Sequence, residues 1–498
     1  MTNALISGGS DKPYMVHAVI SALTQERLFG ELYQRMTLDA PEVSFDNIDL
    51  SILNDRLLVG LLRGALVTDR QMELLLTALR RHLLGKMVES IGMGSSAGLG
   101  CDEFLAALAT QCFDNEYIFS ITDQELSWLK ILVDQVEGIA AETVLGAWLA
   151  MIGAYMPLCR LRDVADFSER RWSMPWDSLI GLQIRDLMME DSIKKTLGVI
   201  AEVREGVSET VRKQYEENPF PRWVDLPGVA REDSLQAYVR GLFPAATFAI
   251  GGQNAPDILV AGCGTGLIPA LFARQFPKAR ILAMDLSRSS LAYGKRKADQ
   301  LGLNGIEFLQ GDILALGGLG RRFDLINCFG VLHHTADIVE SWRVLCGLLK
   351  PDGLMQIGLY SKIARQSVAV VRSYIAARDY PSTLKGLRKC WQDLMLSDDP
   401  QLKPIVNSWS FYSASNFRDL AFHVHEIYIT IPQLKQMLDE LDLDFIGFEL
   451  DYPESKSLYR IEYPDDPEMT SLGNWEIFEN RHPITFENCY KFWVRRNV

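Results

Sequence analysis

The chain has 498 residues, 48% of them hydrophobic and 23% charged, and a formal net charge of −14. That length calls for two or three domains, and the acidic balance excludes an ordinary nucleic-acid binder, which draws on Lys and Arg against phosphates. The cysteines, Cys101, Cys112, Cys159, Cys263, Cys328, Cys346, Cys390 and Cys489, form no CxxC pair and no zinc-ligand spacing, which predicts reduced, buried thiols in a cytoplasmic protein.

The opening stretch MTNALISGGSDKPY lacks a basic segment followed by an apolar one, so it does not read as a signal peptide. Through residue 210, leucines recur at helical spacing, as in LNDRLLVGLLRGALV and TDRQMELLLTALRRHLLGKM, and Thr68-Asp69 marks a helix start. Thr122 and Glu125 stand in capping-box register at the head of TDQELSWLKILVDQV. GMGSSAGLG, 92–100, reads as a flexible loop inside one helical domain. The uncharged run 143–159 falls short of the ~20 residues a membrane span needs and contains Gly146 and Gly153, so a buried core helix and no membrane partner are expected. The basic runs Arg80-Arg81 and Lys295-Arg296-Lys297 lie in amphipathic helices and are expected to be solvated faces.

From residue 257 the texture changes to strands alternating with helices. Strands are expected at 258–261, 280–284, 306–310, 323–328 and 354–360, with helices at 267–276, 287–301 and 336–349. Such alternation implies an α/β fold with a mostly parallel sheet covered on both faces. Residues 362–430 break the pattern as a helical insertion; a helix at 431–441 and a strand at 445–450 resume it, and CYKFWV, 489–494, reads as a last strand returning antiparallel at the sheet edge. The division expected is therefore a helical N-terminal domain, 1–210, an aromatic lead-in segment, 211–256, and an α/β domain, 257–498, with its insertion.

In an open α/β sheet, ligands bind beyond the carboxyl ends of the strands. Gly262, Gly264 and Gly266 stand at the first such end in AGCGTG, where bare backbone permits a sharp turn and a close approach. The spacing is GxGxG, with Leu at 267, and not the GxGxxG of a dinucleotide site. Asp285 ends the second strand, where a carboxylate can accept ribose hydroxyls. Asp312 follows the third, where an acid can accept an adenine amino group.

Together AGCGTG, MDLS, GDI and FDLINCFGVLHH resemble a class I S-adenosylmethionine-dependent methyltransferase across the whole α/β domain. VRKQYEENPFPRWV, GLYSKIAR and FRDLAFHVHEIYITIPQLKQMLDELDLDFIGFEL resemble bacterial methyltransferases often fused to tetratricopeptide-repeat arrays, although this chain shows no repeat. The resemblance implies a Rossmann-like doubly wound sheet and S-adenosylmethionine as cofactor. The glycine turn would contact the donor's methionine part, Asp285 with Leu286 its ribose, Asp312 with Ile313 its adenine, and Phe329 its methionine side.

His333 and His334 follow the fourth strand, where the donor methyl projects, and imidazole titrates near neutrality, so either is a candidate general base. Pro219 and Pro221 stiffen the aromatic loop before the first strand, in which Arg222 would pair the donor carboxylate and Tyr215 face the methyl; Trp223 and Tyr360 are candidate acceptor contacts. On a strand, His423 and His425 would share one face, with Glu426 beside them; lacking a third ligand they read first as structural histidines, with lining of the acceptor pocket as their functional reading, and no metal is expected. Asn327-Cys328-Phe329-Gly330 stands where base-amino methylases carry [DN]PP[YF], which again argues against nucleic acid. The expected reaction is methyl transfer to an O, N or S atom of a small molecule. A protein side chain docked on the helical domain, and a donor-binding scaffold without turnover, are the alternatives; a homodimer is compatible with either.

Overall fold

Aliphatic runs buried on both faces build an eight-stranded sheet in the computed structural model, whose described residues are 12–35, 45, 48–94, 99–245, 248, 255–486 and 489–497. The strands are β1 (Gly198–Val199), β2 (Asp257–Ala261), β3 (Arg280–Asp285), β4 (Ile306–Gln310), β5 (Phe323–Phe329), β6 (Leu349–Leu359), β7 (Leu443–Phe448) and β8 (Tyr490–Arg496). Their order is β1-β4-β3-β2-β5-β6-β8-β7. The first six run parallel, and β8 pairs antiparallel with both β6 and β7. Strand order reverses between β2 and β5, so the loops leaving those two strands flank the crevice that such sheets offer a ligand.

Trp342, Leu345, Met355 and Phe492 pack on one face of the sheet, and Phe272, Leu291, Phe308 and Trp493 on the other. Double burial explains why β2, β3 and β5 read as continuous apolar runs without alternation. The expected terminal strand forms and is antiparallel, but it is not at the edge: β8 inserts between β6 and β7, and β7 is outermost. The two-residue β1 is too short for a period to show in sequence; it is held by pairing with β4 and by the Ile200 N–H donating to the Gln310 carbonyl at 2.8 Å.

Two compact units emerge: Met1–Met189 with Val224–Gly228 and Val371–Phe422, and Glu190–Trp223 with Val229–Val370 and His423–Val498. The division therefore falls at 189/190, ahead of residue 210, because 190–223 carries β1 and packs with the sheet. Most of the insertion, 371–422, groups with the N-terminal helices, whereas 362–370 and 423–430 group with the sheet.

The first unit is helical, and its local signals hold. Asp69 caps the helix Arg70–Gly92 through the Met72 N–H at 2.8 Å, and Thr122 with Glu125 completes a capping box. The uncharged run forms the buried helix Gly146–Gly153, and no helix among the described residues is long and apolar enough to cross a membrane. Of the loop 92–100, residues 95–98 lie outside the described residues, as do 1–11 of the opening stretch and 246–247 and 249–254 of the lead-in.

Each basic run departs from expectation at one residue, Arg81, Lys295 and Lys297 remaining partly exposed. Arg80 is 0% exposed, lies over the Tyr155 ring and donates to the Ser120 carbonyl at 2.6 Å and to Glu125 at 3.5 Å. Arg296 is buried as well and donates to Glu190 at 2.8 Å. Each is buried because an acid distant in sequence faces it, which helical periodicity does not register.

Candidate functional site

At the β2 end, Gly264 has φ 52°, and a Cβ there would stand 2.6 Å from the Phe220 carbonyl oxygen. Gly266 has φ 80°, and a Cβ there would meet Gly294 Cα at 2.9 Å. Both positions demand glycine because of protein neighbours as well as backbone handedness. Gly262 completes the turn, its N–H donating to the Met284 carbonyl at 2.8 Å. At the end of β3, one oxygen of Asp285 accepts the Gly264 N–H at 2.8 Å and the other the Ser287 N–H at 2.9 Å. Burial pushes this carboxyl up, against the pull of those two donors. Leu286 follows, its carbonyl accepting from Gln310 at 2.9 Å.

Asp312 is buried, and its oxygens accept N–H bonds from Leu314 at 3.0 Å and Arg204 at 3.1 Å. It caps the turn Ile313–Gly318 and holds the segment after β1, two tasks that the adenine role did not anticipate. Ile313 is buried beside it. Phe329, at the tip of β5, is 36% exposed, and the neighbouring Gly330 has open space where a Cβ would stand.

The lead-in lies on this edge of the sheet. Glu216, at the end of the helix Val207–Glu217, accepts the N–H groups of Arg288 at 2.7 Å and Ser289 at 3.3 Å and the Ser289 hydroxyl at 2.6 Å. Those donors open the helix Arg288–Gln300, where a carboxylate meets unsatisfied N–H groups and the positive end of the dipole. Lys194 adds an ion pair at 2.8 Å. The Tyr215 carbonyl accepts the Ser287 hydroxyl at 3.0 Å, which sets the Tyr215 side chain over the crevice end of the sheet.

Trp223 is placed differently from its expected role. Its Nε1–H donates to the Thr265 carbonyl at 3.0 Å, its ring meets Tyr293 edge-on at 6.3 Å, and its carbonyl accepts the Tyr293 hydroxyl at 2.5 Å. It anchors the lead-in to the glycine turn. Arg222 lies in the same loop, half-buried.

The histidines assemble at the β5 end. His333 lies tilted by 31° against Tyr360 at 3.7 Å and meets His334 edge-on at 4.2 Å; His334 stacks on His423 at 3.8 Å and 23°. His423 packs against Tyr215 at 5.8 Å, and Tyr215 against Phe220 at 6.5 Å. At the other end, the Arg365 guanidinium lies 3.7 Å over the Tyr360 ring. The result is a continuous wall of rings from the glycine turn to Arg365.

Segment 423–428 is not a strand, so His423 and His425 do not share a face. The His425 ring turns away, its Nε2 3.0 Å from the Thr335 carbonyl, while its backbone joins the cluster. Its carbonyl lies 2.9 Å from His334 Nδ1, and its N–H donates to His423 Nδ1 at 3.1 Å. His334 Nδ1 must then carry a proton, whereas His423 carries its proton on Nε2 and donates it to the Tyr215 oxygen at 3.1 Å. His333 is 0% exposed, with both ring nitrogens lacking a hydrogen-bond partner among the described residues. Burial pushes it well below the ordinary imidazole range, and His334, Arg365 and His423 push the same way.

Atoms of His334, His423 and Glu426 lie within 4.8 Å of one another, the span of a metal site. His334 is thus the third group that the sequence did not offer, while Glu426 also accepts from Arg365 at 3.0 Å and from Tyr428 at 2.8 Å. Arg365 and Glu216 were missed as site residues. GLYSKIAR contains Arg365 six residues past β6, but nothing local announces that Glu426, 61 residues on, buries it.

Residues 258–353 match the family described as Methyltransferase domain. An uncharacterized protein of Synechococcus is 28% identical over 262 residues, 50% of this chain and 61% of that protein. A ubiquinone biosynthesis O-methyltransferase of Methylobacterium is 27% identical over 143 residues, 27% of this chain and 55% of that protein. The solved structure of PKMT2 from Rickettsia typhi with AdoHcy aligns at TM-score 0.42 and 17% identity over 52% of each chain. The chain thus spans little more than half the length of these relatives. Over residues 258–353 the chain is thus similar to a methyltransferase domain.

Proposed function

We propose that the whole chain transfers the methyl group of S-adenosylmethionine to an O, N or S atom of a small molecule held past the end of β5. The observation that supports this reading is the row of rings there, in which His334 and His423 are only 6% and 5% exposed, away from any broad docking face. The residues fit the donor. Asp285 accepts N–H groups at both oxygens and, with about four lone-pair sites, keeps capacity for a ribose hydroxyl. Phe329 and the open side of Gly330 leave room beside the glycine turn. When bound, the donor supplies a sulfonium methyl already activated for in-line displacement. This chain's residues then orient the acceptor, exclude water and receive a proton where the acceptor carries one.

The test uses purified protein, methyl-labelled donor and a cell extract divided at a size cut-off. Label in the small-molecule fraction is expected. Label on protease-sensitive macromolecules would replace this reading with protein methylation, and donor binding without transfer to either fraction would leave a scaffold.

A further inference from the structure

We propose that the helical unit encloses a second binding site, lined by Glu73, Arg80, Gln111 and Asn115, whose guest is an uncharged oxygen compound: ordered water or the hydroxyl groups of a small polyol. None of these residues takes part in the methyl-transfer reading above.

Two helices supply the lining. Glu73 and Arg80 stand seven residues apart on the helix Arg70–Gly92, and Gln111 and Asn115 four apart at the end of the helix Asp102–Asp114, spacings that bring each pair to one face. All four residues are between 0% and 1% exposed. Both Glu73 oxygens, Arg80 Nε, Gln111 Nε2, and Asn115 Oδ1 and Nδ2 have no hydrogen-bond partner among the described residues. The two pairs come together in space. The Cys112 thiol, one turn before Asn115, feels the charges of both Glu73 and Arg80. Tyr412, from the insertion, is within electrostatic reach of Glu73, and two residues on the Ala414 N–H donates to the Asn115 carbonyl at 3.1 Å. The Ser415 N–H donates to Glu116 at 2.5 Å and Arg388 Nε to the Tyr117 carbonyl at 2.6 Å, so the insertion is fastened along the same rim.

The bonds already made define the guest. Gln111 Oε1 accepts the Val67 N–H at 2.9 Å, which fixes the amide and leaves its N–H bonds in need of an acceptor. Arg80 donates to the carbonyls of Ala154 at 3.4 Å and Ser120 at 2.6 Å and sets its charge against Glu125 at 3.5 Å, so its Nε–H remains. Buried polar atoms in folded proteins are almost always paired with protein or with ordered water. Six of them in one cluster call for a guest with hydrogen-bonding atoms of its own. The N–H groups of Arg80, Gln111 and Asn115 need oxygen lone pairs, whereas Asn115 Oδ1 needs a donor. An anion cannot donate and an ammonium cannot accept; a hydroxyl or a water does both. Burial disfavours the charged form of Glu73, and the Arg80 charge is already opposed, so a neutral guest is the one that fits. A buried water makes about three hydrogen bonds, so about two waters, or one polyol of similar size, would satisfy the cluster.

The experiment is a crystal structure of the whole chain, grown and cooled without glycerol, glycols or sugars, with native and denaturing mass spectra of the same preparation. Density within about 2.7–3.2 Å of the open atoms of Glu73, Gln111 and Asn115 is expected. Such density with no retained mass identifies water, and a mass held under native conditions and lost on denaturation identifies a polyol; both uphold the site. An anion in that density would overturn the neutral guest, and a dry cluster would overturn the site itself. Melting curves give a second reading. Asn115→Leu should lower Tm by about 3–8 °C, because the guest and its remaining partners are left unsatisfied. Glu73→Gln, which keeps a donor and an acceptor, should stay within about 3 °C of the parent. Asn115→Leu and Glu73→Met together should cost clearly less than their sum, since one guest is lost only once. A fully additive pair, or an Asn115→Leu chain that melts at or above the parent, would mean that no guest joins these groups and would overturn the proposal.

Discussion

Replacing Glu216 with Ala removes the carboxylate that ties the Tyr215-bearing helix to the sheet. That carboxylate accepts two backbone N–H groups and a hydroxyl at the start of the helix Arg288–Gln300, and pairs with Lys194. Hydrogen bonds to a charged group contribute about 1.5–3 kcal/mol each when isolated. These share one acceptor, and water can reach the helix end once the side chain is gone, so they do not add. A total of about 2–3 kcal/mol is reasonable, including the helix-end charge term of up to about 1 kcal/mol. In a unit of this size that lowers Tm by roughly 5–10 °C. If the same energy falls on the donor-bound state, Kd for S-adenosylmethionine rises by about 30- to 150-fold. Burial raises the Glu216 pKa, but Lys194, Ser289 and the Arg288 N–H outweigh it, and the net shift is downward. The contribution is therefore present above the unfolded value of about 4.3 and lost as pH falls through the folded one. Calorimetric titration of donor with melting curves at pH 7.5 and pH 4 would measure both effects, with the exposed Lys213→Ala as control. Unchanged Tm and unchanged Kd at pH 7.5 would refute the assignment of Glu216 as the tether.

Three further expectations concern other parts of the fold. Gly264→Ala forces a side chain into left-handed backbone, a cost of about 1–2 kcal/mol, and against the Phe220 carbonyl at 2.6 Å; donor affinity should fall at least tenfold by calorimetry, and an unaffected Kd would contradict the close approach. In the helical unit, Glu125→Leu strands the buried Arg80 and should cost about 3–5 kcal/mol in denaturant unfolding. Glu73→Gln should cost under about 1 kcal/mol, because burial pushes the Glu73 carboxyl well up and so already disfavours its charged form; equal losses would refute that difference. His333 is held well below the ordinary imidazole value, so below pH ~6.5 the unfolded chain binds a proton that the folded one refuses. Stability should fall with acid by up to about 1.4 kcal/mol per pH unit, and His333→Leu should flatten that slope in pH-dependent melts.

What could be read from sequence followed the range of the force involved. Strands β2 to β6 were legible because burial on both faces writes itself into consecutive residues, and the Asp69 and Thr122 caps because a cap spans only three residues. The place of β8 was not, since being antiparallel is local but insertion between β6 and β7 depends on strands far back in the chain. Arg80 and Arg296 were misread for the same reason: their own helices look amphipathic, and the acids that bury them come from elsewhere. The candidate site repeats the pattern. Glycine spacing and strand-end acids located the donor end, yet sequence assigned His425 by its ring, whereas the structure uses its peptide group. An N–H and a carbonyl are present at nearly every residue, so no residue type could mark the one that makes His334 an acceptor and His423 a donor. That distinction arises only when 423–426 and 332–335 are brought together by the fold.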